Sequence, residues 1–223
     1  MEFFILILPV FIVLAIIVAV FNHKKEKERR EKLREFASSR NLYFQEARVH
    51  GFEQDYPEFD FLQQGSGRYA YNILSGESSG YGVTGFDYHF QTTSTDSKGR
   101  TTTHHHHFST IIITSDFRLK PLAIRPEGLF DKVTAAFGWD DIDFESAEFS
   151  RKFHVKAEDR RWAYDALPQS TMEYLLESPQ YELHMDYRHL AVRGKGRFEP
   201  WEFRKALEIG ETMLNGIPEF ARS

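Results

Sequence analysis

Between Phe3 and Phe21 the chain carries no charged side chain, and Ile, Val, Leu and Phe dominate the run. A helix rises about 1.5 Å per residue, so nineteen such residues reach roughly 28 Å, close to the hydrocarbon thickness of a bilayer. A helix pairs its own backbone groups internally, which suits it to that solvent. The run predicts a single membrane-spanning helix at residues 1–21 and leaves about 180 residues for a folded part. A cleaved signal peptide fits less well. The chain opens Met1-Glu2-Phe3-Phe4 without a positive leader, and the run ends at Val18-Ala19-Val20-Phe21 without a small-residue cleavage site.

Basic residues crowd the far side of the run: Lys24, Lys25, Lys27, Arg29, Arg30, Lys32 and Arg34 all follow within one short stretch. Lys and Arg favour the cytoplasmic side, and acidic residues count little in that rule. The expected topology is therefore single-pass in the cell inner (plasma) membrane, with the amino terminus outside and the large domain in the cytoplasm. Residues 22–40 read as a charged juxtamembrane helix, with Glu26/Arg30 and Glu28/Lys32 as i, i+4 pairs. The seven basic side chains are candidates for contact with anionic head groups of the membrane surface. Leu33, Phe36 and Ala37 give that helix an apolar edge.

The 223 residues include no cysteine, which excludes disulfides, thiol nucleophiles and thiolate metal sites. A net charge of -5 gives no ground for nucleic acid as a partner. With 21 Phe and 10 Tyr there is ample material for a core in residues 41–223. Alternation predicts strands over residues 68–74, 81–93, 101–114 and 119–125, the second and third joined as a long hairpin. Helical spacing follows over 128–137, a strand over 149–157, and a helix from Asp159. A capping-box helix opens at Ser170, strands cover 181–187 and 189–192, and a helix starts at Pro200. The expected class is α+β: an N-terminal transmembrane helix, then a mainly antiparallel β-sheet with packed helices.

Four local patterns invite a chemical reading. Gly80-Tyr-Gly82-Val-Thr-Gly85 matches G-x-G-x-x-G, but a strand rather than a helix follows, so it predicts a strand entry and no phosphate loop. His104–His107 is a run of four imidazoles. In an extended strand His105 and His107 share a face, and His89 on the partner strand can approach them, so these three are the candidate metal ligands. Asp141, Asp143 and Glu145 alternate with Ile142 and Phe144 and offer an acidic row. Arg193–Arg197 is a compact basic loop. None of these brings a cofactor requirement, and none has the neighbouring partner groups of a known catalytic set.

The segments Leu122-Ala-Ile-Arg-Pro-Glu-Gly-Leu-Phe130, Asp143-Phe-Glu-Ser-Ala-Glu-Phe-Ser-Arg-Lys-Phe-His-Val155 and Asp159-Arg-Arg-Trp-Ala-Tyr-Asp-Ala-Leu167 stand together with Gly85-Phe-Asp-Tyr-His-Phe90 and the amino-terminal run. In this combination the chain resembles an uncharacterised bacterial family of single-pass membrane-anchored proteins, a domain-of-unknown-function family. The resemblance implies a bacterial inner-membrane protein with a cytoplasmic domain and implies no activity. The expectation is a membrane-tethered binding or interaction module, held by membrane lipids through its anchor and meeting a protein partner. The alternative is a metal-dependent enzyme using the His strand or the acidic row.

Overall fold

The computed structural model describes residues 2–127 and 139–222, with side chains from Ile12 onward and excluding that of Asp140. The helix expected over residues 128–137 lies outside the described residues. Helix α1 runs unbroken over Glu2–Ser39. The described apolar residues of its first half stand clear of the domain: Ile12, Val13, Leu14, Ile16, Ile17, Val18, Val20 and Phe21 are between 52% and 66% exposed. Among the described residues no helix is long and apolar enough to cross a membrane. Residues 3–11 of the apolar run precede the described side chains.

Seven strands form one sheet among the described residues: β1 (Tyr43–Gln45), β2 (Ser66–Ser78), β3 (Tyr81–Thr95), β4 (Thr101–Pro126), β5 (Asp140–Asp141), β6 (Phe153–Ala157) and β7 (Glu182–Arg193). Every pairing is antiparallel. The order is β1-β2-β3-β4-β6-β5, with β7 also paired to β4. This is an α+β fold with an antiparallel sheet and packed helices. The long β4 explains the branching: its first part pairs β3, its last part pairs β6, and β7 follows its other edge. Sequence punctuation placed a break before Leu119, but the backbone continues, with register shifts against β7 on either side of Leu119.

The β3–β4 turn closes on Asp96, whose Oδ1 accepts from the backbone N–H of Lys98 and Arg100, each at 2.9 Å. Two other expected elements differ. The strand over 149–157 is split, because the Ser146 side chain accepts from the Phe149 N–H and starts α3 (Ala147–Lys152) before β6 begins. Asp159 does cap α4 (Arg160–Ala166), accepting from Trp162 N–H. The next helix, α5 (Gln169–Glu177), starts behind Pro168 without a side-chain cap, so Ser170 opens no capping box. The capping box is found instead at Glu199 and Glu202, at the start of α6 (Pro200–Gly216). The two strands expected over 181–192 are one, β7, with Tyr187 at φ 54 marking the bend between them.

The sheet is covered on both faces. On one, Leu33, Phe36 and Ala37 of α1 join the inner faces of α4, α5 and α6 over Leu74, Ile111, Ile113 and Leu122. On the other, a 3-10 turn at Phe52–Asp55 and the short α2 (Asp60–Gln63) bring Phe59, Phe61 and Leu62 onto Phe86, Tyr88, Phe108 and Ile112. The G-x-G-x-x-G glycines serve this packing. Gly80 takes φ +84 in the turn, and a Cβ on Gly85 would stand 3.2 Å from Ile111 and 3.4 Å from Phe203 of α6. No helix follows them, as the strand reading required.

Candidate functional site

The charged groups of α1 meet the sheet at one joint. Arg29 is buried, and its guanidinium donates to both Asp87 oxygens, Nη1 to Oδ2 at 2.7 Å and Nη2 to Oδ1 at 2.9 Å. Its Nε also donates to the Phe198 carbonyl at 2.9 Å. Asp87 is fully buried on β3 and takes two further donors, Asn72 Nδ2 at 2.8 Å and the Ser109 hydroxyl. Asn72 reaches it because β2 bulges there: Asn72 sits at φ 50 between Tyr71 and Leu74, where the register shifts. Ser109 in turn accepts the Phe198 N–H at 2.8 Å. One buried carboxylate thus ties α1, β2, β3, β4 and the loop before α6 together, with its lone pairs satisfied.

Outside this node lies a second ring of pairs. Arg197 grips Glu26 with two bonds of 2.9 and 2.8 Å. Burial pushes the Glu26 carboxyl up, and the Arg197 contact outweighs it and holds the group below its ordinary range. Glu46, on the loop after β1, pairs with Arg30 and, at 3.4 Å, with Arg34. The helix pair expected between Glu26 and Arg30 is therefore replaced by contacts from each to the domain. Of the seven basic residues assigned to the membrane surface, Lys24, Lys25, Lys27, Lys32 and Arg34 are exposed, Arg30 is half-buried, and Arg29 is withdrawn from any lipid surface by its burial against Asp87. The Arg193–Arg197 loop is likewise structural: Ser109 N–H donates to the Gly196 carbonyl at 3.0 Å, and Gly194 N–H returns the bond at 3.0 Å.

Beside the joint, a cleft of about 380 Å³ opens between α1, the loop after β1 and strand β2, with His107 in its wall. Tyr69 and Tyr71 supply ring faces, and the Arg48 guanidinium lies over Tyr69 at 4.6 Å. Burial pushes the Tyr71 hydroxyl up to about 12. That hydroxyl accepts from Arg197 and lies 3.2 Å from His107 Nδ1.

The three candidate metal ligands do share one face. His89 and His107 are cross-strand neighbours, and their ring centroids are 4.7 Å apart. His89 Nδ1 lies 3.0 Å from the Gly67 carbonyl and must donate to it; His89 Nε2 therefore accepts, from His105 Nδ1 at 3.0 Å. The lone pair a metal would need on His89 is taken by His105. Among the described residues no group of three or more His, Asp or Glu side chains is placed to hold a metal ion. The acidic row keeps its alternation of exposed acids and buried apolar residues. Only Asp140–Asp141 is strand, Asp141 faces Lys156 at 3.5 Å, and Asp143 and Glu145 are exposed while Ile142 and Phe144 are buried.

Burial lowers the proton affinity of His89, His107 and His184, and in His184 it outweighs the nearby Glu182 carboxylate. Burial also pushes Glu182 up, but His184 and Arg193 overcome it and hold that carboxyl at about 2. The signs give two windows. The histidines, depressed below the ordinary 6.5, contribute stability that is fully present above 6.5 and is lost as pH falls below it. Glu182 contributes stability present above 4.5 and lost between 4.5 and 2. Urea midpoints are expected to fall from pH 7.5 to 5.5; a midpoint that is level or rises across that interval contradicts the assignment.

No family model and no curated protein matches the chain. Among solved structures, the chain is similar to the crystal structure of the mycobacterial trehalose monomycolate transport factor A, TtfA. The TM-score is 0.62 at 12% identity, covering 85% of this chain and 96% of the other. At that identity the likeness shows a shared fold.

Proposed function

We propose that this protein is a single-pass inner-membrane protein, amino terminus outside, whose cytoplasmic α+β domain works as an interaction module at the membrane surface. The observation that carries the reading is the bare apolar half-helix. Eight large apolar side chains between Ile12 and Phe21 project from a domain that covers none of them, and the sequence continues apolar back to Phe3. Exposed apolar surface on that scale marks contact with lipid or with another apolar surface. The basic residues that follow set the side on which the domain lies. We extend the same reading to the resemblance with the bacterial family of membrane-anchored proteins.

The Arg29–Asp87 node adds a mechanical property. It makes α1 and the sheet one body, so the domain is held at a fixed angle to its anchor. Alkaline carbonate extraction of membranes tests the anchor. The full chain is expected in the pellet and a chain lacking residues 1–21 in the supernatant. Full-length protein released by carbonate would overturn the reading.

A further inference from the structure

We propose that the cleft beside α1 binds a phosphate-bearing group, either the head of an anionic lipid or a free phosphate ester. Two of its donors have no carboxylate of their own, the Arg48 guanidinium and the Arg30 Nε–H. Arg48 is exposed, stacks on Tyr69 and makes no ion pair among the described residues. Arg30 Nε is buried with no hydrogen-bond partner. His107 also lines the cleft, and Tyr69 adds a phenol. The carboxylates nearby are already spent: Glu26 on Arg197, and Glu46 on Arg30 and Arg34. Of the charged side chains that line the cleft, Glu26, Glu46 and Arg30 are engaged in ion pairs and Arg48 is not. The cation left open to a ligand is Arg48.

A tetrahedral oxyanion suits such a set. It presents several acceptor oxygens to donors converging from different elements, and guanidinium is the strongest partner for it. The cleft, about 380 Å³ and lined by charged, amide and hydroxyl side chains, suits a polar head group. Position points the same way, and this part rests on the membrane reading. Glu26 and Arg30 follow Phe21 by five and nine residues, about 8 and 14 Å along a helix, which sets the cleft just below the head-group layer.

The test uses the full chain, labelled with ¹³C-histidine, in neutral maltoside micelles. Inorganic phosphate, glycerol phosphate and dihexanoyl phosphatidic acid are titrated separately while the His107 ring signal, assigned with His107→Gln, is followed. The expected result is a saturable shift of His107 with at least one probe, with His154 on β6 unmoved. Affinity is expected to fall tenfold or more in Arg48→Met, a substitution at an exposed position that leaves the fold intact. Tighter binding of phosphatidic acid supports the site and names a lipid source; equal affinity for glycerol phosphate supports it and names a soluble ester. No saturable shift with any probe, or a shift that Arg48→Met leaves unchanged, overturns the proposal. Binding by a chain that carbonate releases from membranes would keep the site and remove the anchor.

Discussion

Asp87→Ala is expected to destabilise the domain by about 3–5 kcal/mol, because it leaves the Arg29 guanidinium buried without its counter-charge. Domains of this size are stable by only about 5–15 kcal/mol, so the loss is a large share of the whole. The desolvation penalty, and not the lost attraction alone, sets the size of the effect. Asn72 and Ser109 lose their acceptor in the same step. Arg29→Met combined with Asp87→Leu is therefore expected to cost less than the sum of the two single changes, since an apolar pair removes both charges together. Chemical denaturation of the four chains measures the coupling. A loss below about 1 kcal/mol for Asp87→Ala would mean that the node is wetter and looser than its geometry states.

The second large effect is expected at Phe203. Its side chain is fully buried on α6, meets Phe198 edge-on at 5.3 Å and closes over Gly85. Truncation to alanine opens a cavity between helix and sheet that the glycine cannot fill, at about 3–5 kcal/mol. Trp201, two residues away on the same helix, is 58% exposed. Trp201→Ala is expected to change stability by about 0.5 kcal/mol or less. The pair is a test of which face of α6 is covered, read by denaturation midpoints. Similar costs at the two positions would place the helix in a different rotation.

Much of this fold is legible in the sequence where local physics decides. The β3–β4 hairpin follows from alternation and the Asp96–Gly99 turn, and α6 follows from Pro200 at its first position. Where two local signals compete, the sequence misleads. Phe149–Ala157 alternates like a strand, yet the Ser146 cap wins its first four residues for a helix turn. The candidate site is the least legible part. Arg29 sits among exposed basic residues and differs from them only in facing Asp87, 58 positions away. A signal for it did exist in Phe86-Asp87-Tyr88, an acid amid aromatic strand residues, which demands a buried partner. Which cation answers that demand is a matter of long-range topology. The cleft has no sequence signature at all, because Arg48, Tyr69 and His107 meet only when three strands pair and the loop after β1 folds back.

Because the chain lacks cysteine, single introduced thiols report topology without background. The most direct test labels intact cells with a membrane-impermeant maleimide, comparing Glu2→Cys with Thr95→Cys at the tip of the β3–β4 hairpin. Glu2→Cys is expected to react in intact cells, and Thr95→Cys only after the membrane is opened. Thr95→Cys reacting in intact cells, or both thiols staying protected until lysis in a chain that carbonate releases, would contradict a domain anchored on the cytoplasmic face.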